Sequence, residues 1–177
     1  MNPGDVPDLE RALRPVPTYA RAVREVSRML SEAGIRHALA GALAANAYRN
    51  RPRTTEAIAF LVGNEAFETH AGGFVTMRVP VVEFDGIDVD QVPLTASLRV
   101  LEDCLNHAPV SHGVPIASVE AVVIMKLLAG RTQDLADIEA IIDSGADRAF
   151  LEAAVQKALP NRVNALKQLF ENVDRTR

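Results

Sequence analysis

The chain has 177 residues, of which 48% are apolar, so it can bury a core and suits one domain or one domain with a helical extension. Its formal net charge of -4 excludes a protein that coats nucleic acid through a general basic field, and its single cysteine excludes an internal disulfide and a multi-cysteine zinc site. Its apolar runs fall far short of the roughly 20 residues that span a bilayer, so we expect a cytoplasmic protein with no membrane segment.

The first half of the chain alternates helical and extended patterns. Residues 1–17 hold four prolines and are predicted to form an N-terminal arm with one helical turn at 9–13. An amphipathic helix is predicted over 18–33, because Tyr19, Val23, Val26 and Leu30 fall at helical spacing before Gly34. A short strand at 37–40 leads into Gly41 and a short alanine-rich helix. The later predicted strands are 57–62, 74–79, 81–84 and 87–92.

The pattern becomes helical after Pro93. Thr95 is a suitable cap for a helix that runs to about His107, and Ser118 for one that ends at Leu128. Three more helices are predicted at 132–142, 147–159 and 160–173. The order of elements predicts an α+β protein with an arm over 1–17, an α/β core over 18–95 and an all-helical C-terminal part over 96–177.

Two neighbouring segments carry a family resemblance. The first is Gly34-Ile35-Arg36-His37-Ala38-Leu39-Ala40-Gly41-Ala42-Leu43-Ala44, and the second is Arg53-Thr54-Thr55-Glu56-Ala57-Ile58-Ala59-Phe60-Leu61-Val62. Together they resemble the nucleotidyltransferase superfamily, which has the polymerase-β-like fold, and in particular its AbiEii-type toxin branch from bacterial toxin-antitoxin systems. The resemblance implies a small mixed β-sheet core flanked by helices.

The chain departs from this family at its two metal-binding positions, and also at Ala42, which replaces the second Gly or Ser of the turn. The family has a strand ending in Gly-Gly or Gly-Ser, a short helix, and then a strand that reads Arg-x-Thr-x-Asp-x-Asp. Arg53 and Thr55 match this pattern, whereas Ala57 and Ala59 occupy the positions of the two aspartates. Strand residues i and i+2 point to the same face, so a pair of carboxylates with this spacing can hold Mg²⁺ beside a nucleoside triphosphate. Alanine supplies no oxygen, and the sequence therefore predicts a catalytically inactive chain.

Apart from Ala42, the remaining site residues implied by the resemblance are present. A later strand of the family carries a single aspartate, for which Asp90 is the candidate metal ligand and Asp88 the reserve. Gly41 and Ala42 stand at the predicted nucleotide-binding turn, with Arg53 and Thr55 beside it. Lys126 matches a lysine that faces the family's active site and is our candidate for binding triphosphate charge. Asp134 and Asp137 share one helix face, where an ion pair with Lys126 or Arg131 is the simpler role.

The activity implied by the resemblance is transfer of a nucleoside monophosphate from an NTP to an acceptor, with Mg²⁺ as cofactor in the active form. The acceptor is expected to be tRNA or another RNA, whose backbone Arg49, Arg51 and Arg53 are placed to contact, and a protein hydroxyl is the alternative. A cognate antitoxin is a further expected partner.

Three hypotheses account for the two alanines. The first is a deliberately inactivated form of an active toxin, the second is a natural pseudoenzyme that still binds a nucleotide or a protein, and the third is a partner-binding protein whose helical half docks an antitoxin. The four histidines show no metal-binding spacing, and each is expected at the surface or at a boundary.

Overall fold

In the computed structural model, which describes residues 6–94 and 100–176, helices and strands alternate in the first half of the chain and helices predominate in the second half. The α-helices in these residues are α1 (Leu9–Leu13), α2 (Tyr19–Glu32), α3 (Gly41–Tyr48), α4 (Leu101–Asn106), α5 (Val119–Ala129), α6 (Thr132–Asp143), α7 (Arg148–Ala158) and α8 (Val163–Thr176). The strands are β1 (His37–Leu39), β2 (Ala57–Val62), β3 (Phe67–Thr69), β4 (Val75–Met77), β5 (Glu83–Phe84), β6 (Ile87–Pro93), β7 (Val110–Ser111) and β8 (Val114–Pro115). The predicted α+β class is confirmed.

The central sheet is small and mixed. Its strand order is β1-β2-β6-β5, in which β2 runs parallel to β6 and antiparallel to β1, and β5 runs antiparallel to β6. Parallel strands need a long crossover, and the chain between β2 and β6 supplies it with the separate hairpin β3–β4. The sequence predicts one strand over 74–79, whereas the structure has the shorter β4 there and adds β3, which the prediction lacked.

One face of β2 packs into the core against α2. Ile58, Phe60 and Val62 alternate along that face and are fully buried. The ring of His37 contacts Phe60 edge-on at a centroid distance of 5.7 Å, and its Nε2 lies 2.8 Å from the Ser27 hydroxyl of α2. His37 is therefore a core residue, and its predicted position at the surface or a boundary is wrong. Burial lowers the pKa of this histidine, against a smaller opposing effect of its hydrogen bond to the Ile35 carbonyl.

The C-terminal part contains strands as well as helices, which corrects the prediction that it is all-helical. The hairpin β7–β8 lies within it, and the following Ile116 forms a parallel bridge with Leu39 of β1. The amide of Ala117 donates to the carbonyl of Leu39 at 2.9 Å. Strand β1 is at the edge of the four-stranded sheet, so its free side is available for these bonds. The predicted cap at Thr95 lies outside the described residues.

The N-terminal segment also joins the core. The sequence predicts an arm with one helical turn, and the turn is present as α1, but Leu9, Ala12 and Leu13 are buried. Asp8 caps this helix by accepting a hydrogen bond from the amide of Arg11 at 2.9 Å. The buried apolar side chains explain why residues 9–13 do not behave as a free linker. None of the helices within the described residues is long and apolar enough to cross a membrane.

Candidate functional site

A cleft of about 320 Å³ lies beside the face of β2 that points away from α2. The residues that line it come from both halves of the chain, and they are Gly41, Ala42, Arg53, Thr55, Ala57, Ala59, Asp90, Lys126, Arg131, Gln133 and Asp134. The cleft thus brings together all the predicted metal-binding and nucleotide-binding positions except the reserve Asp88. Segments that are distant in the sequence, from 41 to 134, meet here.

The parallel register of β2 and β6 fixes the floor of the cleft. Ala57 lies beside Asp88 and Ala59 beside Asp90, so all four side chains project from the same face of the sheet. Asp88 and Asp90 are both exposed, but only Asp90 lines the cleft. A carboxylate at 59 would therefore stand next to Asp90, and this is the arrangement that the resemblance implies for a metal site.

The side chains that are present do not fit a two-magnesium site. Asp90 is the one carboxylate that the sheet contributes to the lining, because Ala57 and Ala59 have no ligand atoms. Within residues 6–94 and 100–176, no three His, Cys, Asp or Glu side chains converge into a group that could hold a metal ion. A second carboxylate from the wall, Asp134, is bonded to Lys126 and Arg131 instead.

The N-terminus of α3 stands directly against Ala59, where the resemblance implies an aspartate. Gly41 is the first residue of this helix and has a φ of +61°, a conformation that glycine adopts without strain. A Cβ built on Gly41 would lie 3.1 Å from the Cβ of Ala59. The N-cap residue is Ala40, which has no side chain to accept a hydrogen bond from the first helical amides. The amides at this N-terminus have no side-chain acceptor, and Gly41 and Ala42 line the cleft, so the partial positive charge of the helix favours an anion there.

Asp137 holds three cations together in the wall of the cleft. Its carboxylate is fully buried and accepts a two-point interaction from Arg53, with Nε to Oδ1 at 2.8 Å and Nη2 to Oδ2 at 2.9 Å. It also accepts a bond of 2.7 Å from Nη1 of Arg49 and one of 2.7 Å from Nζ of Lys126. A buried carboxylate with this many charged donors is fixed in place.

Lys126 connects this group to a second carboxylate. Its Nζ donates to Asp134 Oδ1 at 3.0 Å, and Asp134 in turn accepts a bond of 2.7 Å from Nε of Arg131. Lys126 is only 5% exposed, whereas the side chain of Arg131 is 79% exposed. The ion pairs that the sequence suggested for Asp134 and Asp137 are both formed. Lys126 borders the cleft, as the resemblance implies, but two of its three N–H groups are already bonded.

The cations keep both carboxylates ionised. Burial on its own would raise the pKa of Asp137, but hydrogen bonds from Arg53 and Lys126 outweigh it and lower that pKa to about 2. Burial opposes ionisation of Asp134 in the same way, and the bonds from Arg131 and Lys126 lower its pKa as well. At neutral pH the wall therefore carries fully charged ion pairs.

Two of the three neighbouring arginines have a different role from the one expected. Arg49 and Arg53 are predicted to face an RNA backbone, yet both are directed at Asp137, and only Arg51 is exposed. No pattern in the sequence indicates Asn46, which is fully buried and hydrogen-bonds the backbone of Arg53 on both sides. It accepts from the Arg53 amide at 3.0 Å and donates to the Arg53 carbonyl at 2.7 Å.

Comparisons with known proteins provide no family assignment. No protein-family model matches the chain, and no curated protein matches it. It is similar to the crystal structure of an antigenic nucleotidyltransferase-like protein from Paracoccidioides brasiliensis, with 16% sequence identity and a TM-score of 0.44 over 83% of this chain and 91% of that chain. A likeness of that degree carries no argument about the site, so the interpretation of the cleft rests on its own geometry.

Proposed function

We propose that the cleft is the nucleotide-binding site of a nucleotidyltransferase and that this chain is a catalytically inactive form. The observation that carries the proposal is the register of the two parallel strands. It sets Ala57 and Ala59 on one face with Asp90, directly against Gly41 at the start of α3. The positions of the Asp-x-Asp pattern, the third carboxylate at Asp90 and the turn at Gly41 lie in separate segments of the sequence, and all of them line the same cleft.

In the active counterpart, an acceptor hydroxyl attacks the α-phosphorus of an NTP. A new P–O bond forms, the bond from the α-phosphorus to the bridging oxygen breaks, pyrophosphate leaves and the hydroxyl proton passes to a base. The helical amides at Gly41 and Ala42 are placed to donate to phosphate oxygens, and Lys126 and Arg131 supply positive charge beside them. Mg²⁺, bound by the missing aspartates and Asp90, is the proposed cofactor of that counterpart.

The absent carboxylates account for the proposed lack of activity. A metal clamp contributes several kcal/mol of transition-state stabilisation, and each loss of about 1.4 kcal/mol lowers the rate tenfold. Arg53, Thr55, Asp90 and Lys126 are all present around the two alanines. Two losses at the two metal positions of one strand, with these other site residues retained, favour a deliberate change over scattered natural decay, and a natural pseudoenzyme is the alternative.

The resemblance supports a toxin that modifies RNA as the active form, with tRNA as the proposed acceptor and a protein hydroxyl as the alternative. Because Arg49 and Arg53 are bound to Asp137, the exposed Arg51 is the member of that group which remains for an RNA phosphate. An antitoxin is the proposed partner of the active form.

The test is to restore both carboxylates. The Ala57→Asp/Ala59→Asp variant and the chain itself are incubated separately with each labelled NTP, Mg²⁺, and either total RNA or cell protein. We expect the double variant to label one acceptor class and to slow growth when expressed, and the chain to do neither. Adding Asp90→Asn to the double variant serves as the control and is expected to abolish labelling.

Two results would contradict the proposal. If the double variant labels nothing and leaves growth unchanged, the cleft does not belong to a transferase. If the chain with alanines labels as strongly as the double variant, the metal positions are misassigned.

Docking of a partner on the helical half is less well supported. Within the described residues, the exposed large apolar side chains lie mostly on and beside the hairpin β3–β4, at Phe74, Val75, Met77 and Val82. The helices α5 to α8 expose no large apolar side chain in the part of the chain that the structure describes. These helices therefore offer no apolar patch in support of the third hypothesis, which stays a prediction.

A further inference from the structure

The charges around the cleft do not cancel. The cations that line it or stand directly behind it are Arg49, Arg53, Lys126 and Arg131. The carboxylates in the same volume are Asp90, Asp134 and Asp137. Four positive charges against three negative ones leave one net positive charge, while Asp88 stands outside the lining in solvent.

The two alanines decide the sign of this balance. With aspartate at 57 and 59 the same cleft would carry one net negative charge, and a polyphosphate would be repelled until a divalent cation had bound. With alanine, positions 57 and 59 add no charge beside Gly41, and Asp90 is the one carboxylate that the sheet contributes to the lining. Ala57 and Ala59 cannot bind a metal ion. Because they also carry no negative charge, a polyphosphate can enter the cleft without a metal ion to offset repulsion.

Donors for a phosphate are also available. Arg131 uses only its Nε, toward Asp134, and its terminal nitrogens make no hydrogen bond within residues 6–94 and 100–176. Lys126 has one N–H group beyond those that bind Asp134 and Asp137. The ion pairs keep the buried lysine fixed before a ligand arrives, which reduces the entropy lost on binding. The amides at the start of α3 add partial positive charge.

We propose that this chain binds inorganic or nucleoside polyphosphates without a divalent cation, and that Mg²⁺ weakens the binding. The inference rests on the proposed function, because it concerns the same cleft. Mg²⁺ forms a complex with a polyphosphate and lowers its negative charge, so a cleft that relies on its own cations binds the complex less well than the free anion. A cleft with carboxylates at 57 and 59 needs Mg²⁺ to offset their charge, so Mg²⁺ strengthens polyphosphate binding there.

The test is calorimetric titration of inorganic tripolyphosphate into the full chain and into Ala57→Asp/Ala59→Asp, each with EDTA and then with Mg²⁺. In EDTA we expect the chain to bind at least about tenfold more tightly than the double variant, because the variant adds two negative charges beside the ligand. Mg²⁺ is expected to weaken binding to the chain and to strengthen binding to the double variant. Equal affinities in EDTA, or a chain that binds only with Mg²⁺, would overturn the inference.

A second pair of variants places the ligand in the cleft. Arg131→Gln removes an exposed guanidinium and is expected to weaken tripolyphosphate binding several-fold. Arg78→Gln is the matched control, because Arg78 is also an exposed arginine beside one carboxylate, at 4.0 Å from Glu68, but lies outside the cleft. An equal loss in both variants would mean that binding is a general surface effect.

The outcomes separate this inference from the proposed function. If the double variant transfers nucleotides but the chain does not bind tripolyphosphate in EDTA, the proposed function stands and the inference is wrong. If the chain binds in EDTA but the double variant transfers nothing, the polyphosphate site stands and the transferase proposal is wrong.

Discussion

Arg53 and Asp137 lie 84 positions apart in the chain and form a two-point ion pair, with both N–O distances below 3 Å. Arg53 precedes the strand that carries Ala57 and Ala59, and Asp137 is in α6. The pair therefore ties the sheet to the helical half at the wall of the cleft. The same carboxylate binds Arg49 and Lys126, so one buried side chain sets the position of three cations.

Substitution of Asp137 is expected to destabilise the fold. Asp137→Asn keeps the shape of the side chain but leaves Arg49, Arg53 and Lys126 without their shared counter-charge. Removing one partner from a buried ion pair costs on the order of 3 kcal/mol of unfolding free energy. Urea denaturation at neutral pH measures this cost.

Asp103→Asn is the control for that substitution. Asp103 is exposed at the start of α4, and its replacement is expected to change the unfolding free energy by no more than about 0.5 kcal/mol. Similar losses in both variants would show that Asp137 does not organise the cluster.

Acid is expected to remove the stability that Asp137 contributes. Its pKa is about 2 in the folded protein against an ordinary value of 3.8, so the unfolded chain binds the proton more readily. The contribution is complete above the ordinary value and is lost as the pH falls toward 2. The difference in unfolding free energy between the chain and Asp137→Asn should therefore shrink over that interval. A difference that stays constant between those pH values would contradict the assigned pKa.

Gly41 is expected to tolerate alanine poorly for two reasons that can be separated. Its φ of +61° strains any side chain, and a Cβ there meets Ala59 at 3.1 Å. Gly34→Ala is the matched control, because Gly34 has a φ of +71° but no heavy atom within 4 Å of such a Cβ. We expect Gly41→Ala to cost about 1 kcal/mol more than Gly34→Ala in thermal unfolding.

Removal of the neighbouring methyl group provides the check on that contact. Adding Ala59→Gly to Gly41→Ala should restore the part of the unfolding free energy that the contact costs. The effect of the new glycine itself is measured in Ala59→Gly alone and subtracted. A double variant that recovers nothing would show that backbone strain accounts for the whole effect.

Mg²⁺ is expected to raise the unfolding temperature of Ala57→Asp/Ala59→Asp but not that of the chain with alanines. In Ala57→Asp/Ala59→Asp, four carboxylates crowd one face of the sheet, at positions 57, 59, 88 and 90, so the variant should unfold at a lower temperature than the chain in EDTA. A ligand that binds only the folded state raises the unfolding temperature, and Mg²⁺ should do so for the double variant. The chain serves as the control and should show no such rise. A rise of equal size in both proteins would contradict the role assigned to positions 57 and 59.

Several features of the fold and the site follow from the sequence because they are local. The apolar run 57–62 and the alternation along 87–92 predict the two strands, and spacing by two residues places Ala57 with Ala59 and Asp88 with Asp90. Gly41 before an alanine-rich segment predicts the turn into α3. These features depend on residues within a few positions of each other, which backbone periodicity encodes.

Other features were decided only by the tertiary structure. The shared carboxylate of Asp137, the burial of α1 and His37, and the attachment of the 110–117 segment to β1 all join residues that are distant in the sequence. In the sequence, the arginines at 49, 51 and 53 look the same whether they contact RNA or a buried carboxylate. The choice depends on which opposite charge the packing of α6 brings within hydrogen-bond distance, because a charge that leaves water is stable only when it is paired. The sequence by itself thus determined the two strands and the uncharged alanines at 57 and 59. The packing of α6 determined which cations stand in the wall of the cleft, because Asp137 binds them there.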